Sequence, residues 1–109
     1  MIIDSHVHFG SSLGFSMPQK DVLTAMEKYN ISKAIVSNVS AVEVDTEHNP
    51  LPENEQIPML QTAKDTIDFA KANPGTIFAA IWVKPRLEQP SAELEYLLKI
   101  HPQFVIAIK

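Results

Sequence analysis

The chain has 109 residues, a formal net charge of -4 at pH 7 and no cysteine. This length suits one small domain. The acidic balance without a Lys/Arg cluster argues against a nucleic-acid surface, and the lack of Cys excludes disulfides and Cys-bound metals. Because neither a basic leader nor a long apolar stretch is present, we expect no signal peptide, no membrane span and a cytoplasmic location.

The first apolar run, Met1-Ile2-Ile3, continues into Asp4-Ser5-His6-Val7-His8 and predicts a strand that Phe9-Gly10-Ser11-Ser12 ends. Side chains two residues apart share a face of a strand. We therefore expect Asp4, His6 and His8 on one face, and Ile3, Ser5 and Val7 on the other. Imidazole nitrogens bind zinc at about 2.0 Å, so the two histidines can converge on one ion. The plain alternative is two solvated surface histidines.

Three helices and three further strands are expected to follow in alternation. Ser16-Met17-Pro18 opens the first helix, and Asn30 suits a left-handed residue at its end. The later segments are a strand at 33–37, a helix from Pro58 to Asn73-Pro74-Gly75, a strand at 76–83 ended by Lys84-Pro85, a helix from Pro90-Ser91 to His101-Pro102, and a strand at 104–108. Nearly continuous apolar strands of this kind are typical of parallel sheets buried on both faces. An open doubly wound sheet and a barrel both fit this order.

The segment from Val39 to Ile57 predicts a long loop. It contains five acidic residues and neither Lys nor Arg. Loops of this length are uncommon, and they are usually functional or disordered. A solvated acidic insertion and a flap over an active site are the two interpretations. No Gly-rich turn of the dinucleotide or P-loop type follows the first strand, which disfavours nucleotide binding.

The segment Ile2-Ile3-Asp4-Ser5-His6-Val7-His8-Phe9 resembles the opening of the metal-dependent hydrolases of the amidohydrolase superfamily, whose first barrel strand ends in His-x-His. The chain is most similar to the amidohydrolase-related group that includes aminocarboxymuconate-semialdehyde decarboxylase. Two later segments, from Ile77 to Pro85 and from Phe104 to Lys109, are similar to segments of this group in their order along the chain and in residue type. Lys84 stands where Asn is frequent in the group, and Ala107 stands where Gly is frequent.

The resemblance implies a fold, namely the N-terminal half of a TIM-type (β/α)8 barrel with four βα units and parallel strands. Residues 1–109 are then a single partial domain of a fold of about 250 residues. The family's remaining metal ligands and its general base come from later strands, so no catalytic residue is assigned here. We expect a truncated, proteolysed or split product that is inactive alone. Its exposed strand edges predict self-association or pairing with the missing C-terminal half.

The expected site residues combine strand geometry with the resemblance. His6 and His8 are expected to bind a divalent metal. Zinc is favoured, and manganese or iron would also bind. Asp4 is expected to orient an imidazole that binds the metal, or else to form hydrogen bonds with nearby backbone. Trp82, Lys84 and Lys109 are expected to contact a small-molecule substrate; core packing is the alternative for Trp82, and a carboxylated, metal-bridging lysine is the alternative for Lys109.

The leading functional hypothesis is a metal-dependent hydrolase or decarboxylase acting on a small carboxylated or amide-bearing substrate. A TatD-type deoxyribonuclease or a PHP-type phosphoesterase is the second hypothesis. The first of these usually has a Gly-Glu ligand, which Ile106-Ala107-Ile108-Lys109 lacks, and the second prefers Thr where Phe9 stands. The third hypothesis is an inert half-barrel that only self-associates.

Overall fold

One five-stranded sheet organises the chain in the computed structural model, which describes residues 1–84 and 90–109. The sheet order is β2-β1-β3-β4-β5, and only the β1–β2 pair is antiparallel. The strands are β1 (Ile3–Ser12), β2 (Phe15–Met17), β3 (Lys33–Asn38), β4 (Ile77–Ile81) and β5 (Val105–Ile108). The helices are α1 (Gln19–Lys28), α2 (Met59–Ala72) and α3 (Pro90–Ile100). The predicted α/β class with a mostly parallel sheet is confirmed.

All three helices contribute to one hydrophobic core on one face of the sheet. Ala34, Val36, Ala79 and Ile81 alternate along β3 and β4 and are fully buried in this core. The helices add a second set of buried side chains, Val22 and Met26 from α1, Ala63, Ile67, Phe69 and Ala70 from α2, and Leu97 from α3. The molecule is only 18 Å thick along its shortest axis, which fits one sheet layer and one helix layer.

The opposite face of the sheet has no helix over it among the described residues. Ile35 and Phe78 point to this face and remain half-buried, and Ile3 is 52% exposed. The prediction that the strands are buried on both faces is therefore wrong. Its reason lies in the strand order. Each new parallel strand is added at the same edge of the sheet, next to the preceding parallel strand. Right-handed crossovers then place all the helices on one face of the sheet.

Strand β1 is longer and less regular than predicted. It continues through Ser12 and turns back into β2 instead of ending at Phe9-Gly10. Leu13 and Gly14 have positive φ angles of 53° and 74°, which build this tight turn. Ser16 and Met17 therefore belong to β2, and α1 begins only after Pro18. At the other end of α1, Asn30 has a φ of 57°, which confirms the predicted left-handed residue.

The segment 39–58 is held by its own contacts. It contains two short 3-10 turns, Val39–Ala41 and Glu53–Glu55, and an isolated bridge between Val44 and Pro50. Asp45 Oδ1 accepts from the backbone N–H groups of Glu47 and Asn49 at 2.8 and 2.9 Å. Helix α2 follows directly and begins at Met59. The predicted stop of the third strand at Pro85 lies outside the described residues. Within them, no helix has the length and apolar character needed to cross a membrane.

Gly10 is required where β1 meets the end of β3. Its φ is +97°, and a Cβ atom there would lie 2.3 Å from Asn38 Oδ1 and 2.6 Å from Ser40 Oγ. Asn38 and Ser40 cannot easily give way, because Asn38 Oδ1 accepts from the Ser40 N–H and Ser40 Oγ accepts from the Ser11 N–H. Gly14 has a φ of +74° but no atom within 4 Å of such a Cβ.

We predict that Gly10→Ala lowers the free energy of unfolding by about 2–4 kcal/mol, since backbone strain and overpacking add together. Gly14→Ala carries the strain alone and should cost about 1–2 kcal/mol. Urea denaturation of both variants measures the difference. Equal losses would contradict the close approach at Gly10.

Candidate metal centre at the C-terminal end of the sheet

Three basic nitrogens meet at the C-terminal end of the parallel strands. His6 Nε2 and His8 Nε2 are 3.0 Å apart, and Lys109 Nζ lies 2.7 Å from the first and 2.6 Å from the second. His6 is exposed and His8 is half-buried. An ammonium group only donates hydrogen bonds, so its contact with both Nε2 atoms suits the imidazole tautomers whose proton is on Nδ1. The two lone pairs thus point at one position.

The two imidazoles are spaced as metal ligands require. Two nitrogens bound to one zinc at about 2.0–2.1 Å are about 2.9–3.4 Å apart for ligand angles between octahedral and tetrahedral. The observed 3.0 Å between the Nε2 atoms of His6 and His8 lies within this range. The rings are inclined at 63° with centroids 4.8 Å apart, so they converge without stacking. The pair fits a divalent metal of the imidazole-binding type.

The contact between Lys109 and the histidines shows that the open face of the sheet is concave. His6 and His8 lie on β1, while Lys109 follows β5, three strands away. Strands about 4.8 Å apart would separate these positions by about 14 Å in a flat sheet. A pocket of about 240 Å³ crosses all four parallel strands on this face, lined by Ser5, His6, Ile35, Ser37, Ala80, Ala107, Ile108 and Lys109. The curl of the sheet therefore brings its first and last parallel strands to one site.

Backbone pairing beyond the assigned strands fixes Lys109 beside Trp82. The Lys109 N–H donates to Ile81 O at 2.8 Å, and the Val83 N–H donates to Lys109 O at 2.9 Å. Lys109 Nζ then lies 5.4 Å from the centre of the Trp82 ring, within cation–π range. Trp82 thus lies beside the lysine that contacts the histidine pair. Its contact with substrate stays a prediction.

Asp4 contacts the backbone of the site, not an imidazole. The register of β1 against β3 shifts between the pairs Asp4–Ala34 and Val7–Val36, because three residue steps on β1 match two on β3. This bulge aligns Asp4 with the helix side of the sheet, so the prediction that it shares a face with His6 is wrong. Asp4 Oδ1 accepts from the His6 N–H at 3.1 Å. Asp4 therefore supports the bend that aims His6, and orientation of a ring by Asp4 is not observed.

Two serines line the pocket without having been predicted. The bulge turns Ser5 to the pocket side beside His6, although strict alternation places it opposite. Ser37 is buried and pairs with His8 across the β1–β3 ladder. A run such as Lys33-Ala34-Ile35-Val36-Ser37 gives no signal for the second serine except its position at a strand end. Among the side chains that the structure describes, no set of three His, Asp or Glu is grouped to hold a metal.

Burial sets the protonation of His8. It lowers the pKa of the ring below the usual 6.5, because desolvation disfavours the imidazolium, and the nearby charges of Lys109 and His6 lower it further. The neutral imidazole is the form that binds metal, since binding needs the Nε2 lone pair. The local environment of His8 therefore favours its ligand form at neutral pH.

Lys84 lies in a different cluster from the histidines. Its side chain is only 7% exposed, and its ammonium donates to Ile57 O at 2.5 Å and pairs with Glu43 Oε1 at 2.9 Å. The Lys84 N–H also points to Met59 Sδ at 3.4 Å. These bonds fasten the segment 39–58 to the end of β4. The predicted substrate contact of Lys84 stays a prediction, and its ammonium already has two acceptors.

No known protein family, no curated protein and no solved structure matches the chain.

We predict that an NMR titration places the midpoint of His8 below 6.5, its ordinary value. The pKa of His8 is lower in the folded chain than in the unfolded chain. Its contribution to stability is therefore fully present above pH 6.5 and is lost as the pH falls through the folded pKa. Lys109→Met removes the charge but not the burial, so the midpoint should rise only part of the way. A full return to 6.5 would show that burial is not the main cause.

We also predict that Glu43→Ala destabilises the fold by about 2–3 kcal/mol, because it leaves the buried ammonium of Lys84 with one acceptor. Lys84→Met should cost less, since a Met side chain suits the apolar surroundings and Glu43 is partly open to water. Glu47→Ala, at an exposed position of the same segment, is the control. Urea denaturation and amide exchange of Leu51, whose N–H donates to Glu43 O at 2.8 Å, measure both effects. Equal behaviour of Glu43→Ala and Glu47→Ala would contradict the role of the ion pair.

Proposed function

We propose that the sheet is the first half of a (β/α)8 barrel and that His6 and His8 are metal ligands of a metal-dependent hydrolase. The observation that carries this proposal is the convergence of the two Nε2 atoms, 3.0 Å apart, on the concave face. The activity proposed is hydrolysis of an amide- or ester-like bond, or decarboxylation of a small carboxylated substrate.

Three features of the fold support a barrel over an open doubly wound sheet. In doubly wound sheets the strand order reverses and helices cover both faces. Here β1, β3, β4 and β5 lie side by side in chain order without a reversal, and the core formed with the helices lies on one side of the sheet. The concave face collects its polar groups at the carboxyl ends of the strands, which is where barrel enzymes carry their chemistry. A closed barrel would also pair the open edge of β5 with the part of β1 before Gly10, which β2 leaves unpaired.

The chain's own residues suggest how such a site works. A divalent metal, with zinc favoured, supplies a Lewis acid for a carbonyl oxygen and activates water. His6 and His8 would hold that ion through their Nε2 atoms. Ser5 and Ser37 offer hydroxyls at the pocket wall, while Ile35, Ala80 and Ala107 make its apolar floor. Lys109 and Trp82 border the ion position, where a carboxylated substrate can meet a cation and an aromatic face.

The proposal also includes a partner. Two imidazoles leave a tetrahedral metal site half filled, and the two open strand edges invite pairing. We therefore propose that a complete site forms when a second polypeptide, either another copy of this chain or a C-terminal half-barrel, closes the sheet.

We predict that the chain binds about one zinc ion and that His6→Ala or His8→Ala weakens binding by at least about tenfold, since each removes one of two imidazole ligands. His48→Ala is the control, because His48 is an exposed loop residue with a φ of 66°. Isothermal titration calorimetry measures the affinities, and native mass spectrometry with metal analysis reports chain and metal numbers together.

Equal zinc binding in all three variants would remove the proposed site. A complex larger than the 12.1 kDa chain that carries metal would justify assays with nitrophenyl esters, anilides and carboxylated substrates. Bis(p-nitrophenyl) phosphate belongs in the same panel, because its turnover in place of the others would favour the phosphoesterase hypothesis.

A further inference from the structure

We propose that the ammonium group of Lys109 occupies the metal position of the His6–His8 pair and competes with the metal for it. This inference rests on the proposed metal site and concerns its regulation. Lys109 Nζ is within 2.7 Å of both Nε2 atoms, so one cation already engages both lone pairs on which the metal depends. The lysine is thus a built-in competitor at the site.

The distances separate competition from co-ligation. Ligand nitrogens about 2.0–2.1 Å from one metal cannot come closer than about 2.9 Å without a ligand angle below a right angle. The pair of histidines meets this limit at 3.0 Å, but Lys109 Nζ, at 2.6 and 2.7 Å, does not. Hydrogen bonds from a charged donor are shorter than those between neutral groups. Lys109 is therefore placed as a donor to the histidines, and not as a third ligand beside them.

The same distances leave no room for a carboxyl group between Lys109 and the histidines. A carboxylated lysine would bind metal through its added oxygens, so Nζ itself would stand farther away. In the structure, Nζ itself contacts both imidazole rings. The centre of the Trp82 ring lies 5.4 Å from Nζ, within cation–π range.

Lys109 can leave the histidines without disturbing the fold. Its residue is exposed, and its side chain is a flexible four-carbon stem. The backbone of Lys109 is held separately by the bonds to Ile81 and Val83. Metal entry therefore requires only that the Lys109 side chain swing away from the two rings into solvent.

The apparent zinc affinity of the histidine pair is its intrinsic affinity multiplied by the fraction of molecules in which Lys109 does not occupy the pair. If the ammonium holds the pair in about nine of ten molecules, the apparent Kd is about tenfold above its intrinsic value. Lys109→Met keeps an unbranched side chain and the backbone pairing but removes both donors and the charge. We expect this variant to bind zinc about tenfold more tightly than the unchanged chain.

The test is calorimetric titration of the full chain with Zn²⁺ alone, repeated with Co²⁺ by its visible absorption. The matched control is Lys20→Met, an exposed lysine on α1, which should leave the affinity unchanged. Tighter binding by Lys109→Met alone supports the inference, as does binding by that variant when the unchanged chain binds none. Weaker or equal binding by Lys109→Met, while His6→Ala still abolishes it, overturns the competition and leaves the metal site standing. Absence of binding in every variant overturns both.

Two further readouts test the contact of Lys109 with the histidines. Addition of bicarbonate should not tighten zinc binding by the unchanged chain, and tighter binding would indicate a carboxylated lysine and overturn the inference. Long-range proton–nitrogen NMR spectra without metal should show Nε2 of both histidines as unprotonated acceptors, with both signals moved in Lys109→Met. Signals that do not move would show that the contact with Lys109 is absent.

Discussion

The handedness of the parallel crossovers is the constraint on which the rest of this structure depends. Because β1, β3, β4 and β5 succeed one another in one direction, right-handed connections place α1, α2 and α3 on the same side. The apolar residues of the strands then divide into two sets. One set packs with the helices into the core around Ile67 and Phe69. The other lines a concave face on which no helix lies among the described residues, and the candidate metal centre is built there.

A local irregularity decides which side chains reach that face. The bulge in β1 between Asp4 and Val7 turns Ser5 to the pocket side and aligns Asp4 with the helix side. It also restores the normal alternation for Val7 and Phe9, which join the core, so His6 and His8 both point outward from it. The Asp4 carboxylate stabilises the bend by accepting from the His6 N–H. Bulges near active sites are known to re-aim side chains in this way.

The sequence indicates the elements of this fold better than their irregularities. Apolar runs and helix-ending signals such as Asn30 locate strands and helices, because these depend on residues a few positions apart. His6 and His8 are predictable as a convergent pair for the same reason. The bulge, the β1–β2 turn and the bare face are not, since they follow from sheet register and crossover side. Nor does any local pattern show that Lys84, which follows β4, forms an ion pair with Glu43, 41 positions earlier, or that Lys109 contacts a histidine on β1.

The candidate site joins positions that only the curl of the sheet can bring together. Lys109 and His6 are 103 residues apart and three strands distant, yet their nitrogens lie 2.7 Å from each other. The site collects three basic groups, and the one carboxylate closest in sequence, that of Asp4, is bonded to backbone instead. The two imidazoles offer lone pairs, and the third group, the Lys109 ammonium, offers only hydrogen-bond donors. The Lys109 ammonium satisfies the two imidazoles in the meantime, so their convergence is held by hydrogen bonds even before any metal binds.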